Sequence, residues 1–292
     1  MVNKVCQKQS EGKAYFIDTH AHLDMIKGKT PQEAVGDATR ESVKYILNVG
    51  SSIKGSEKSL YFSTVFDNVF ASVGIHPHYV KDFKDVQRKR LESMVANFIA
   101  DGTSSFESEA KTKTPGERPP KLVAIGETGF DFYRNLSPKK DQEEAFVFQI
   151  ELAIKNKLPL IIHDREAHDD TLRVIGKYAN YKDFRAVMHC FSGDVDFATK
   201  CLELGLFISF TGVLTFPNAK KTVEVAKEVP IEKIFIETDA PFLAPQPKRG
   251  KENFPEYVRY VAYKLAEIKG MDVEDVALIT SRNAEEFFGI AS

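Results

Sequence analysis

The run Asp18-Thr19-His20-Ala21-His22 sets two imidazoles two residues apart, directly after an apolar stretch at 14–17 that predicts a short buried strand. Side chains two apart leave a strand on the same side. Both rings can therefore converge on one cation, a common use of neutral imidazole. Histidines at this spacing are also frequent as solvated pairs, so the run alone does not define a metal site. The event repeats, however. The apolar runs 122–126, 158–162, 186–188 and 234–236 stop at Glu127, His163, His189 and Glu237-Thr238-Asp239, respectively. Side chains that can ligate a metal or carry a proton thus recur where apolar runs end.

Such residues lie far apart in sequence and need an architecture that brings strand ends together. Eight strands are expected, at about 14–19, 44–50, 69–75, 121–127, 158–163, 185–190, 205–210 and 233–238. The segments between them carry helical signals. Thr30-Pro31-Gln32-Glu33 combines a capping threonine, proline at the first helical position and a glutamate three residues on. Ser137-Pro138 has the same look ahead of a long segment to Ile154, and Asp194 is placed to cap a helix that Gly205 ends. Val258, Val261, Ala262, Leu265 and Ile268 form an apolar stripe at helical spacing. Strand and helix alternating at this cadence mean parallel strands with crossover helices. Eight such units in 292 residues match a single-domain (β/α)8 TIM barrel. An open doubly wound sheet would carry a glycine-rich turn after its first strand, and none is present. In a barrel the strands end on one rim, where the chemistry of this fold sits.

Composition narrows the classes further. No apolar run is long enough to cross a bilayer and no charged-then-apolar leader opens the chain, so a soluble cytoplasmic protein is expected, or a nuclear one in a eukaryote. The cysteines, Cys6, Cys190 and Cys201, show no paired spacing, which suits a reducing compartment. Cys190 follows His189 and is expected on the opposite face of its strand, in the core. Residues 1–13 read as a polar extension before a barrel spanning 14–292, and 101–120 as a flexible surface insertion rich in Ser, Thr, Glu, Lys, Gly and Pro. A net charge of −2 and a pI near 6.4 argue against a protein that coats duplex DNA, because that affinity rests on many phosphate contacts.

The set Ile17-Asp-Thr-His-Ala-His22, Val73-Gly-Ile-His-Pro-His78, Ile125-Gly-Glu-Thr-Gly-Phe-Asp131, Ile162-His-Asp-Arg-Glu-Ala167, Met188-His-Cys-Phe-Ser-Gly193 and Ile236-Glu-Thr-Asp-Ala-Pro241 resembles the TatD-type metal-dependent deoxyribonucleases, a branch of the amidohydrolase-like barrels. The resemblance runs from Phe16 to Phe288. Phe130 departs from it, standing where the family usually has leucine, and the insertion is extra. The resemblance implies two divalent ions, with His20, His22 and Asp239 on one, His163 and His189 on the other, and Glu127 bridging both. Imidazole suits Zn or Mn and carboxylates also accept Mg, so the mixed set does not name the metal. Two such ions can clamp the attacking and leaving oxygens of a phosphodiester in an in-line displacement. Asp239 is then placed to take the proton of the attacking water.

His76 reads as a residue behind the ligands or on a phosphate, while His78 and His168 receive no role. Arg134 beside Phe132 and Tyr133 offers a guanidinium for phosphate and rings for base stacking. Arg165 and the basic stretch 248–251 leading to Asn253 fall in loops after the fifth and eighth strands. The expected substrate contacts are therefore His76, Tyr133, Arg134, Arg165 and Asn253. The expected activity is 3′–5′ exonucleolytic hydrolysis of single-stranded DNA ends, or RNA, with no membrane and no protein partner inferred. A metal-dependent hydrolase of an acyl bond, such as an aminoacyl-tRNA ester, and a non-catalytic nucleic-acid binder are the alternatives.

Overall fold

A computed structural model of the protein describes residues 14–101 and 121–290. The polar extension at 1–13 and all but the first residue of the insertion at 101–120 lie outside the described residues. The eight expected strands form one parallel sheet in the order β1 to β8: Phe16–Ala21, Val43–Val49, Val69–Val73, Leu122–Asp131, Leu160–Arg165, Ala186–Met188, Phe207–Phe210 and Ile234–Ile236. The ring closes between β8 and β1 through the Ala21–Ala240 bridge, the His22 N–H on the Ala240 carbonyl (2.7 Å) and the Asp239 N–H on the His20 carbonyl (2.8 Å). The protein is a TIM barrel, as its strand count and cadence predicted.

Alternation along the strands explains why it holds. Ile17, Leu47, Val49, Val123, Ile161, Val187 and Phe235 form an inner cluster with Ala284, Phe287, Phe288 and Ile290. Their strand neighbours Phe16, Ile46, Leu122, Leu160, Ile162, Ala186, Met188, Ile234 and Ile236 belong to a second cluster shared with the helices. Period-two side chains on strands buried on both faces produce these two layers.

The crossover helices are α1 (Pro31–Arg40), α2 (Ile53–Val65), α3 (Asp85–Asp101), α4 (Lys139–Lys155), α5 (His168–Ile175), α6 (Val195–Glu203) and α7 (Lys220–Glu228), and α8 (Val258–Lys269) and α9 (Val273–Phe288) follow the last strand. Thr30 and Glu33 close the expected capping box on α1, and Asp194 accepts from the Phe197 N–H at 2.9 Å to cap α6. Ser137 does not cap α4. Its hydroxyl instead donates to the His78 carbonyl (3.0 Å) and accepts from the Lys81 N–H (3.2 Å), tying the loop after β4 to the loop after β3. Among the described residues no helix is long and apolar enough to cross a membrane.

Two irregularities in the sheet matter most for the site. Asp18 and Ala21 pair with Ile46 and Asn48, and Ile125 and Thr128 pair with Leu160 and Ile162, so β1 and β4 each carry one extra residue. A bulge of this kind re-aims side chains and is common beside active sites. Here the bulges fall at Thr19-His20 and Gly126-Glu127. Beyond its bulge β4 continues to Asp131, four residues past the expected end. Gly129 permits this: its φ is +138°, and a Cβ there would lie 2.1 Å from the His163 carbonyl oxygen. A glycine that reads as a strand stop is in fact a point of close backbone approach.

Candidate metal centre

At the C-terminal rim the side chains from β1, β3, β4, β5, β6 and β8 meet. Glu127, 3 % exposed, lies at the centre. Its Oε2 is 3.0 Å from His20 Nε2, 4.0 Å from His22 Nε2 and 3.7 Å from His189 Nε2, while its Oε1 is 3.0 Å from His76 Nε2 and 3.8 Å from His163 Nδ1. Asp239 Oδ1 approaches the first group, 3.6 Å from His22, 3.9 Å from His20 and 4.0 Å from His189. The six residues expected to hold metal therefore converge, with one carboxylate oxygen of Glu127 facing each side.

Hydrogen bonds assign the imidazole tautomers. His22 Nδ1 donates to the Val49 carbonyl at 2.9 Å, which leaves the Nε2 lone pair pointing at the cluster. His76 is the opposite case. Its Nδ1 accepts the His78 backbone N–H at 3.1 Å, so the neutral ring carries its proton on Nε2 and donates to Glu127. His189 Nδ1 rests 2.7 Å from Glu237 Oε1 in an ion-pair contact, and the same oxygen accepts the Cys190 N–H at 2.7 Å. A carboxylate behind a histidine fixes ring orientation and raises basicity, as behind many metal-binding imidazoles.

The electrostatics follow from this crowding. Burial lowers His20 and the neighbouring His189 lowers it further. Burial also drives His76 well below the usual imidazole value, with only partial compensation from Glu127. His189 is pulled down by burial but lifted to about 9 by the Glu237 carboxylate. Glu127 resists burial and stays well below the carboxylate range because His76, His20 and His189 surround it. Asp131 likewise stays ionised against burial, held by His163, the Arg134 N–H at 2.7 Å and His78 Nε2 at 2.8 Å. The carboxylates are thus ready as anions.

The donor set fits divalent cations. His20 Nε2 and His22 Nε2 lie within hydrogen-bond distance of each other, 3.3 Å, beside the Glu127 carboxylate, and both nitrogens can turn a lone pair to a cation. The buried His20 Nδ1 has no hydrogen-bond partner, and His163 Nε2 has the Asp131 carboxylate at 3.4 Å. Among the described residues His20-His22-Glu127, His20-His189-Glu237, His76-Glu127-His163 and His189-Cys190-Asp239 bring their ligand atoms within 4.8 Å of one another; His76, with both ring nitrogens already hydrogen-bonded, has no lone pair free for an ion.

A cavity of about 540 Å3 opens onto this cluster. That is within the range, roughly 300–1,000 Å3, of sites that bind small molecules. Arg134 and Arg165 line it, and the Arg165 guanidinium lies 4.0 Å from the centre of the exposed Tyr133 ring. Three expectations need correction. Asn253 is fully buried, and its amide donates to the Thr238 (2.8 Å) and Phe242 (2.6 Å) carbonyls, so it shapes the loop after β8 instead of touching substrate. Cys190 does not turn into the core: β6 ends at Met188, and at a φ of +45° Cys190 faces the cavity with Thr211 Oγ1 3.6 Å from its sulfur. His78, given no role, lines the cavity and braces Asp131. The stretch 248–251 contributes nothing to the lining. Sequence reasoning also missed Asp131, Asp164, Glu237 and Phe242, of which Glu237 alone sat at an expected strand end.

A parallel barrel whose rim gathers histidines and carboxylates around a cavity defines the class, a metal-dependent hydrolase. The chain belongs to the TatD-related DNase family, whose model matches residues 17–289. It is 36% identical over 276 residues to YabD of Bacillus subtilis, an uncharacterized metal-dependent hydrolase, covering 94% of this chain and 99% of that protein. It is 30% identical over 267 residues to the 3′–5′ ssDNA/RNA exonuclease TatD of Citrobacter rodentium, covering 90% and 93%. Among solved structures, YjjV, a TatD homolog from Escherichia coli K12, superposes with a TM-score of 0.82 at 26% identity, covering 94% and 98%.

Proposed function

We propose that the protein is a divalent-metal-dependent nuclease that removes nucleotides one at a time from the 3′ end of single-stranded DNA, with RNA as a second substrate. The observation that carries this reading is Glu127, whose two oxygens face two separate groups of imidazoles across a buried centre. In the proposed site His20, His22 and Asp239 hold one ion, His163 and His189 the other, and Glu127 bridges; His189, whose Nε2 lies 3.7 Å from Glu127 Oε2 on the side of His20 and His22, would then reach across the centre to join His163. When bound, a pair of divalent ions offsets phosphate charge and lowers the pKa of an attacking water.

The chain's own groups do the rest. Asp239, whose side chain is 14% exposed against 4% for Glu127, is the more open of the two carboxylates at the centre, and it accepts the proton of the attacking water. His76 keeps Glu127 in place by donating to it. Arg134 and Arg165 receive phosphate oxygens at the mouth, and Tyr133 backs Arg165. A cavity that ends blind among barrel loops admits a strand end more readily than the middle of a duplex. The name of the Citrobacter relative, an exonuclease of that polarity, supports the same reading.

The test is a 5′-labelled single-stranded oligonucleotide incubated with Mg2+ or Mn2+. A ladder shortened by one nucleotide at a time is expected, with chelator abolishing it and blunt duplex cut more slowly. Immediate release of labelled mononucleotide would reverse the polarity. Internal cuts in a circular strand would make the protein an endonuclease. No cleavage with any metal, together with deacylation of aminoacyl-tRNA, would overturn the nuclease reading.

A further inference from the structure

The cavity has two chemically distinct walls. On the side of β4 and β5 it is polar and charged, lined by Asp131 and Asp164, whose carboxylates are taken up by His78 and His168, and by Arg134 and Arg165. On the side of β1, β7 and β8 it is lined by Met25, Val213, Phe242 and Leu243. His22 and Gly212 tie them to the rim: the Met25 N–H bonds the His22 carbonyl, the Phe242 ring meets His22 edge to face with centroids 6.2 Å apart, and a Cβ on Gly212, next to Val213, would lie 2.3 Å from the Leu243 carbonyl oxygen. None of the four wall residues carries a side-chain donor or strong acceptor.

Phe242 is the centre of this wall. On an open surface a single exposed phenylalanine needs no explanation. This one lines the cavity, is 51% exposed, and has its backbone pinned on both sides. Its N–H bonds the Asp239 carbonyl at 2.8 Å, and its carbonyl accepts the amide of the fully buried Asn253 at 2.6 Å. An aromatic ring with a fixed backbone presents contact area at small entropic cost. It stands three residues from Asp239 and against His22, beside the position a scissile phosphate takes in the proposed site.

Resting on the nuclease reading above, we propose that Phe242, with Met25, Val213 and Leu243, forms a nucleobase subsite that stacks the base of the terminal nucleotide while Arg134 and Arg165 hold its phosphates. An apolar wall in a cavity that also presents two guanidinium groups fits a ligand that is flat and apolar at one end and anionic at the other, which a nucleotide is and an aliphatic lactone or amide is not. A wall without hydrogen-bonding side chains stacks any base, so the subsite is indifferent to sequence.

The test separates binding from cleavage. For the purified full chain in Mg2+, 2′-deoxyadenosine 5′-monophosphate is expected to bind on the order of tenfold more tightly than 2-deoxyribose 5-phosphate. Phe242→Ala should bring the nucleotide down to the level of the sugar phosphate, and Phe242→Tyr should restore it. In cleavage, wild-type kcat/KM should fall by a similar factor when the end nucleotide is replaced by an abasic residue, whereas Phe242→Ala should cut both ends at the same rate. Equal nucleotide affinity in wild type and Phe242→Ala, or losses from the variant and the abasic end that multiply, would overturn the subsite. If Phe242-dependent nucleotide binding is found but no oligonucleotide is cut with Mg2+ or Mn2+, the subsite stands and the nuclease reading falls.

Discussion

Glu127 and Asp239 are both carboxylates among imidazoles, yet their surroundings give them different work. Glu127 is enclosed by His20, His76, His163 and His189 and is only 3% exposed at the floor of the cavity. Asp239 lines the cavity and contacts the centre from one side only. Removing the first should therefore empty the site, and neutralising the second should impair turnover. Glu127→Ala is expected to lose metal measured by elemental analysis, with an affinity loss beyond the roughly 10–100-fold typical of outer-shell partners. Asp239→Asn should keep its melting temperature and lower kcat by about 10²–10⁴-fold, the range for losing a positioned general base. Full activity in the Glu127 variant, or an Asp239 variant that melts early but turns over normally per folded molecule, would refute the division of labour.

Elements, more than single residues, decide where these groups point, and the bulges in β1 and β4 are the devices. Gly129 lets β4 run on against β5 so that Asp131 reaches His163 and His78. Gly129→Ala would force a side chain into the His163 carbonyl at a φ of +138°, costing at least about 1–3 kcal/mol of backbone strain. A drop in melting temperature and weaker metal binding are both expected, since His163 rides on the displaced backbone; a variant with wild-type stability would contradict this. The same element shows how much was legible in advance. The strand count, the parallel cadence and the meeting of strand-end residues on one rim could be read from apolar runs and the residues that end them, and the Thr30 and Asp194 caps from their own motifs; the family resemblance picked out His20, His22, Glu127, His163, His189 and Asp239. Asp131 could not, because Thr128-Gly129 reads as a stop unless the neighbouring backbone is known to pass within contact. Asn253 was misread for a related reason. A polar residue in a loop after a strand looks like a ligand contact, and only the fold reveals the two carbonyls it satisfies. Cys190 was misplaced because period two was carried beyond Met188, where the strand ends.

For the molecule as a whole, the question is what a protein of net charge −2 can hold of a polyanion. Duplex-coating proteins gain affinity by displacing many counterions, which shows as a steep dependence on salt. Here the cationic groups at the cavity are Arg134 and Arg165. Each phosphate neutralised on a single strand contributes a slope of about −0.7 to log K against log salt, so two contacts predict about −1.4. The base wall proposed around Phe242 would add affinity without adding slope, because stacking releases no counterions. Binding of a single-stranded oligonucleotide, measured in KCl at fixed Mg2+, should therefore weaken only gently with salt, and Arg134→Ala should flatten the slope by about 0.7. Phe242→Ala should lower affinity at every salt concentration and leave the slope unchanged. A slope steeper than about −4 would require a track of basic contacts along the strand. The enzyme would then grip long nucleic acid along its surface, and the picture of a barrel mouth that takes one chain end at a time would have to be given up.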